Sequence, residues 1–137
     1  MAACAVLAGC RPEHFAVVEA AVRAMLVPGF NLHGQAVTTQ PAGQIAVVNG
    51  PVRAAAGLNS RMGALGPGTR ANATIGRAMR LVVALTGEGM PGRLDRSTLG
   101  QAGKVGTCIA EDEERSPWPP LHVERGLRAG TSAVTLL

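Results

Sequence analysis

Apolar side chains recur at three- and four-residue spacing from Phe15 through Val18, Val22, Met25 and Leu26, the period of one helix face. Pro12 suits the first turn of that helix, Glu13 suits its positive end, and "VPG" at 27–29 stops it, so the pattern predicts a helix over about residues 12–27. Residues 2–8 are small and apolar, and Gly9 follows where a helix would end. No cap precedes that first segment. It reads either as a short packed helix or as the trailing part of a longer architecture whose first half lies elsewhere.

The period then changes. "GQAVTT" (34–39) and "GQIAVVNG" (43–50) are short runs bounded by turn residues and predict two strands, paired as a hairpin or as neighbours. "GPVRAAAGLN" predicts a brief helix opening at Pro51 and closing at Gly57. The second half of residues 63–87 returns to helical spacing: Ile75, Met79, Val82 and Val83 form a buried face, while Ala71, Ala73, Gly76 and Ala78 leave room for another backbone to approach. Residues 87–104 carry too much glycine for regular structure and predict a long loop, a class of segment that is often functional. "VGTCIAE" (105–111) and "TSAVTLL" (131–137) read as strands on either side of a polar stretch. The order predicts a single compact domain, residues 1–137, of mixed α/β class: a small mixed sheet packed by helices.

Composition refines this picture. The 137 residues suffice for one core without disulfides or a structural metal. Apolar residues make up 47% but aromatic ones only 2%, so the core is built from Ala, Val, Leu, Ile and Met around many glycines. The net charge of +4 is modest, its basic residues are scattered, and no aromatic residues interleave with them, which argues against nucleic-acid binding and favours small anionic ligands. No apolar run approaches the ~20 residues of a membrane span. "VLAGC" at 6–10 matches a lipoprotein cleavage box, but only nine residues precede Cys10, too few for a charged leader and an apolar segment. A cytoplasmic protein is therefore expected. Cys4, Cys10 and Cys108 form no CxxC and cannot all pair, so at least one thiol is free.

Three stretches carry candidate chemistry. Cys10 precedes a helix start, where unpaired backbone N–H groups and the neighbouring Arg11 favour a thiolate, although Glu13 opposes this and a small buried filler is the plainer role. Residues 66–72 resemble an anion cradle: Gly66 and Gly68 let backbone amides approach a ligand at a helix start, Arg70 adds a bidentate donor, and Asn72 lies one turn in. A dinucleotide fingerprint, which needs a strand before the glycines and an acidic residue about twenty positions later, is rejected there because "SRMGAL" is a poor strand. In "AEDEERSPWPPLHVERG" (110–126), alternation sends Glu111 and Glu113 to one side, and likewise His122 and Glu124, a pattern suited to acid/base work. A metal site is not expected; if one exists, His33, His122 and Glu124 are its candidate ligands, without any HxxxH or HExxH spacing in support. The plainer role of the acidic run is a solvated loop.

Several strings in order, "AGCRPEH", "FNLHGQAVTTQPA", "VVNGP", "GLNS", "ALGPGTRANATIGRAMRLV", "STLGQAGK" and "AEDEERSPWPPLHVERG", resemble the carboxy-terminal part of the bacterial UGSC-like proteins, some of whose relatives are predicted selenoproteins named for a Sec-Gly-Ser-Cys motif. The likeness runs over nearly the whole chain. It departs from the family at "RMGALGPG", where the family has "GGNALGPG", at His14, where the family has a tyrosine, and in lacking any UGSC or CGSC string. The resemblance implies a thiol or selenol redox protein and a shared site including Cys10, Glu13, His33, Arg70, Asn72, Glu111, Glu114, His122 and Glu124.

Together these features predict an enzyme or enzyme subunit acting on a small anionic substrate. Cys10 is its nucleophile or redox thiol, His122 its proton carrier, and Glu111 or Glu124 the orienting partner. Glu13, His33, Gly66, Gly68, Arg70, Asn72 and Glu114 line the pocket. The alternatives are a metal-dependent lyase or hydratase and a non-catalytic subunit completing a two-part protein. The apolar small-residue helices favour assembly, with copies of itself or with a separate subunit. The sequence names no cofactor.

Overall fold

The computed structural model describes all residues, Met1–Leu137. Helix α1 (Ala2–Ala8) ends at Gly9, whose φ of 88° gives the left-handed stop that a side chain would resist. A 3-10 turn at Pro12–His14 leads into α2 (Phe15–Met25), which together fulfil the helix predicted over 12–27. Its buried face is Val17, Val18, Ala21, Val22 and Met25; Leu26 lies past the helix end and is 70% exposed.

Residues 34–39 are not a strand. Asn31 takes a left-handed conformation and caps a five-residue helix, α3 (Leu32–Ala36), its Oδ1 accepting from the Gly34 N–H at 3.2 Å. Leu32 and Ala36, one helical turn apart, both pack against the core. The predicted hairpin is therefore absent. Strand β1 (Ile45–Asn49) is instead the centre of a three-stranded sheet, buried from Ala46 to Asn49.

A short α4 (Val52–Ala55) and the long α5 (Arg70–Thr86) follow, and the chain returns through β2 (Thr107–Ala110), parallel to β1 with Ala46 opposite Cys108. Parallel neighbours need such a helical crossover. After the one-turn α6 (Leu121–Glu124), β3 (Ala133–Leu136) pairs antiparallel on the other edge of β1, with Val47 opposite Thr135. The sheet order is β2-β1-β3. This is the small mixed sheet packed by helices.

Helices α2 and α5 pack on each other, on β3 and on β2 respectively, with α1 against α5. Gly76 explains how closely α5 approaches: a Cβ there would stand 2.7 Å from the Gly106 carbonyl carbon. Small residues thus set the helix-to-strand distance, as the alanine- and glycine-rich face predicts. No single helix is long and apolar enough to cross a membrane; the pair Pro12–Met25 and Pro28–Ala36 meets that length and composition only jointly, across a 79° bend.

Candidate functional site

Two polar clusters gather the residues that the sequence singles out, and they do not coincide. The first surrounds the Cys10 turn. Cys10 is half-buried, and burial pushes its thiol above the ordinary value against a hydrogen bond with Thr74 and the positive charge of Arg70. Thr74 Oγ1 lies 3.3 Å from Nδ1 of His14 and donates at 2.9 Å to the Arg70 carbonyl. His14 is 3% exposed, and its Nδ1 accepts the Arg11 N–H at 3.1 Å, which assigns the ring proton to Nε2 in the neutral form. Burial lowers the His14 pKa, Glu13 opposes, and Arg11 and Arg70 reinforce the lowering.

Arg70, Arg11, Glu13 and His14 line a recess of about 230 Å³ closed by α4. Arg70 points there because its Nε donates to the Gly9 carbonyl at 2.9 Å. It does not serve the glycine loop that precedes it. The expected cradle also fails at Asn72, which is 3% exposed and spends its amide on the chain: Oδ1 accepts from Asn59 N at 2.9 Å, and Nδ2 donates to the carbonyls of Asn59 and Ala64 at 2.8 and 3.0 Å. Asn72 ties down the 58–64 loop. Gly66 lines a different cavity of about 360 Å³ beside Cys108, and Gly68 is exposed and lines neither.

The second cluster stands at the carboxyl ends of β1 and β2, where open α/β sheets hold ligands. Asn49 Nδ2 donates to Glu111 Oε2 at 2.6 Å and to Glu113 Oε1 at 2.9 Å, so the two carboxylates do share a side, as alternation predicts. Gly50 N–H also donates to Glu113 at 2.7 Å. Arg53 closes the cluster, donating to the Glu111 carbonyl at 2.6 Å and to Glu114 Oε1 at 2.7 Å, with Glu113 at 3.2 Å. Its hydrogen bond holds the exposed Glu114 carboxyl at about 2.

His122 is not paired with a carboxylate as expected. Leu121–Glu124 is a helical turn, in which residues two apart point to different sides, so His122 is 1% exposed while Glu124 faces solvent. Neither ring nitrogen of His122 has a hydrogen-bond partner, so neither Glu111 nor Glu124 orients it; Glu111 instead accepts the Leu121 N–H at 2.9 Å. His33 lies elsewhere, in an apolar recess lined by Met25, Leu32, Val82 and Thr86. His33, His122 and Glu124 do not converge, and no three His, Cys, Asp or Glu side chains form a metal-holding group.

No family model, curated protein or solved structure matches this chain. The sequence reading missed Thr74, Arg53 and Asn49, and set His14 beside Cys10 and Glu13 only as a candidate corner of the site. Thr74 carries no local signal, since its importance comes from a residue 60 positions away. Asn49 and Arg53 lie within "VVNGPVR", at the end of a central strand, and that placement could have marked them.

Proposed function

We propose that the chain carries a thiol-dependent site for a small anionic substrate, with Cys10 as the reacting group and His14, reached through Thr74, in place of His122 as the proton acceptor. The carrying observation is the Cys10–Thr74–His14 chain of hydrogen-bonding groups. Burial keeps the Cys10 thiol protonated at neutral pH, so attack on an electrophile requires its proton to leave as the bond forms. Thr74 takes that proton on Oγ1 as its own hydroxyl hydrogen turns from the Arg70 carbonyl to Nδ1 of the neutral His14, which releases the Arg11 N–H in accepting it. Arg11 and Arg70, on the adjoining recess, supply positive charge for a carboxylate or phosphate on the substrate. Glu13 limits the excess. The resemblance to UGSC-like thiol proteins points the same way.

Alkylation by iodoacetate and iodoacetamide tests the reading. The anionic reagent should modify Cys10 faster, relative to the neutral one, than it modifies a free thiol, and Arg70→Gln should abolish that preference. Equal treatment of both reagents by the unaltered protein would remove the anion-selective site.

A second reading, a subunit that binds a partner, is favoured by apolar side chains left in solvent on α1, where Val6 is 75% and Leu7 67% exposed. Light scattering tests it, a mass of one chain at working concentration counting against self-association.

A further inference from the structure

The long loop at 87–104 and α5 line a cavity of about 670 Å³, which shares no lining residue with the Arg11–Arg70 recess. Its charged side chains are Arg77, Arg80 and Lys104 against a single acid, Asp95, so positive charge is in excess. Arg77 and Arg80 stand three apart and share one side of α5. Asp95 is 6% exposed and fully engaged: Oδ2 accepts Arg80 Nη2 and Lys104 Nζ, each at 2.9 Å, and Oδ1 accepts Ser97 Oγ at 2.7 Å and Ser97 N at 3.1 Å. Lys104 also bonds Ser97 Oγ, which in turn reaches the Gln40 carbonyl at 3.0 Å. These bonds occupy the ammonium donors, so Lys104 contributes charge to the cavity rather than a free N–H.

The arginines differ. Both hydrogen bonds of Arg80 leave from Nη2, to Gly89 O at 2.7 Å and to Asp95, which fixes the guanidinium while Nε and Nη1 stay free. Arg77 is exposed and engages no carboxylate. Ala84, Met90, Leu99 and Val105 give the same cavity an apolar wall, and Leu99 is 97% exposed. A cationic wall with two free planar donors, facing an apolar wall in a cavity of metabolite size, fits an anion attached to an organic body.

We infer that this cavity binds a phosphate monoester of a small organic molecule, its phosphoryl oxygens on Arg77 and Arg80 and its body against Met90 and Leu99. Titration calorimetry of the intact protein with phenyl phosphate, inorganic phosphate and succinate tests this. Phenyl phosphate should bind tightest of the three. Arg77→Gln, which breaks no internal contact, should weaken it by about tenfold, the worth of one charge-assisted contact. No binding of phenyl phosphate, equal binding of inorganic phosphate or succinate, or an Arg77→Gln variant that binds like the parent would each overturn the assignment. Loss on Arg70→Gln instead would move the ligand to the Cys10-side recess.

Discussion

The hydroxyl of Thr74, on the second turn of α5, lies 3.3 Å from Nδ1 of His14, at the end of the 3-10 turn that opens α2. That approach joins two elements 60 positions apart and sets the buried His14 ring beside the hydroxyl that acts on the Cys10 thiol. The Thr74 hydrogen bond also lowers the thiol pKa, against burial. Thr74→Val therefore raises it and slows iodoacetamide modification of Cys10 at neutral pH by about threefold to tenfold, the range of one hydrogen bond. Mass spectrometry of the Cys10 peptide over time measures this. An unchanged rate would separate Thr74 from the thiol.

His14 makes stability depend on mild acid. Its folded pKa is lowered from 6.5, chiefly by burial, so the unfolded chain binds the proton more readily. The sign follows from linkage: the favourable contribution is fully present above the unfolded value and is lost as pH falls below about 6.5. Urea midpoints should drop between pH 7 and pH 5, and His14→Gln should flatten that slope. A slope that survives the substitution assigns it to another group.

Asp95 acts at lower pH. Burial by itself would raise its carboxyl, and the hydrogen bonds from Ser97 and Lys104, with the Lys104 charge, overcome this and hold it at about 2, below the ordinary 3.8. A depressed carboxylate stabilises the fold above its unfolded value and loses that contribution as pH falls from about 4 toward 2, here about 2 kcal/mol in all. Asp95→Asn at pH 7 leaves Arg80 and Lys104 without their shared anion and costs about 3 kcal/mol or more. Denaturant unfolding at pH 7 and pH 2.5 should show parent and variant converging in acid.

Gly76 tests the helix-to-sheet contact. Alanine would improve helix propensity by about 1 kcal/mol, but its methyl meets the Gly106 backbone at 2.7 Å, and neither partner is a side chain that can rotate away. Gly76→Ala should therefore lower thermal stability despite the better helix former. Gly57→Ala, where nothing stands within 4 Å but φ is +64°, should cost only the backbone strain of about 1 kcal/mol. Calorimetric melting ranks the two, and a stabilised Gly76→Ala would refute the close approach.

Neighbouring residues determined the regular elements. The apolar spacing of α2 and α5 persists over several turns, and Pro12 and Gly9 mark a helix start and stop that backbone sterics enforce whatever packs nearby. The strands at 45–49, 107–110 and 133–136 were legible from short apolar runs between turn residues, and the shared side of Glu111 and Glu113 from strand alternation just past β2. Residues 34–39 escaped because a single helical turn and a short strand carry too few side chains to distinguish their periods. The one-turn α6 broke the His122/Glu124 pairing for the same reason.

Tertiary structure decided which of these residues meet. Arg70 follows a glycine loop in sequence but donates to Gly9, because α1 packs along α5 and brings an unpaired helix-end carbonyl within reach. Asn72 is drawn inward to hold the 58–64 loop, and His122 is buried by its helical turn rather than offered to a carboxylate. Local pattern records the backbone conformation that a segment prefers. The meeting of Thr74 with His14, or of Asp95 with two cations, depends on strand register and helix packing, which bring together side chains that have no neighbourhood in the sequence.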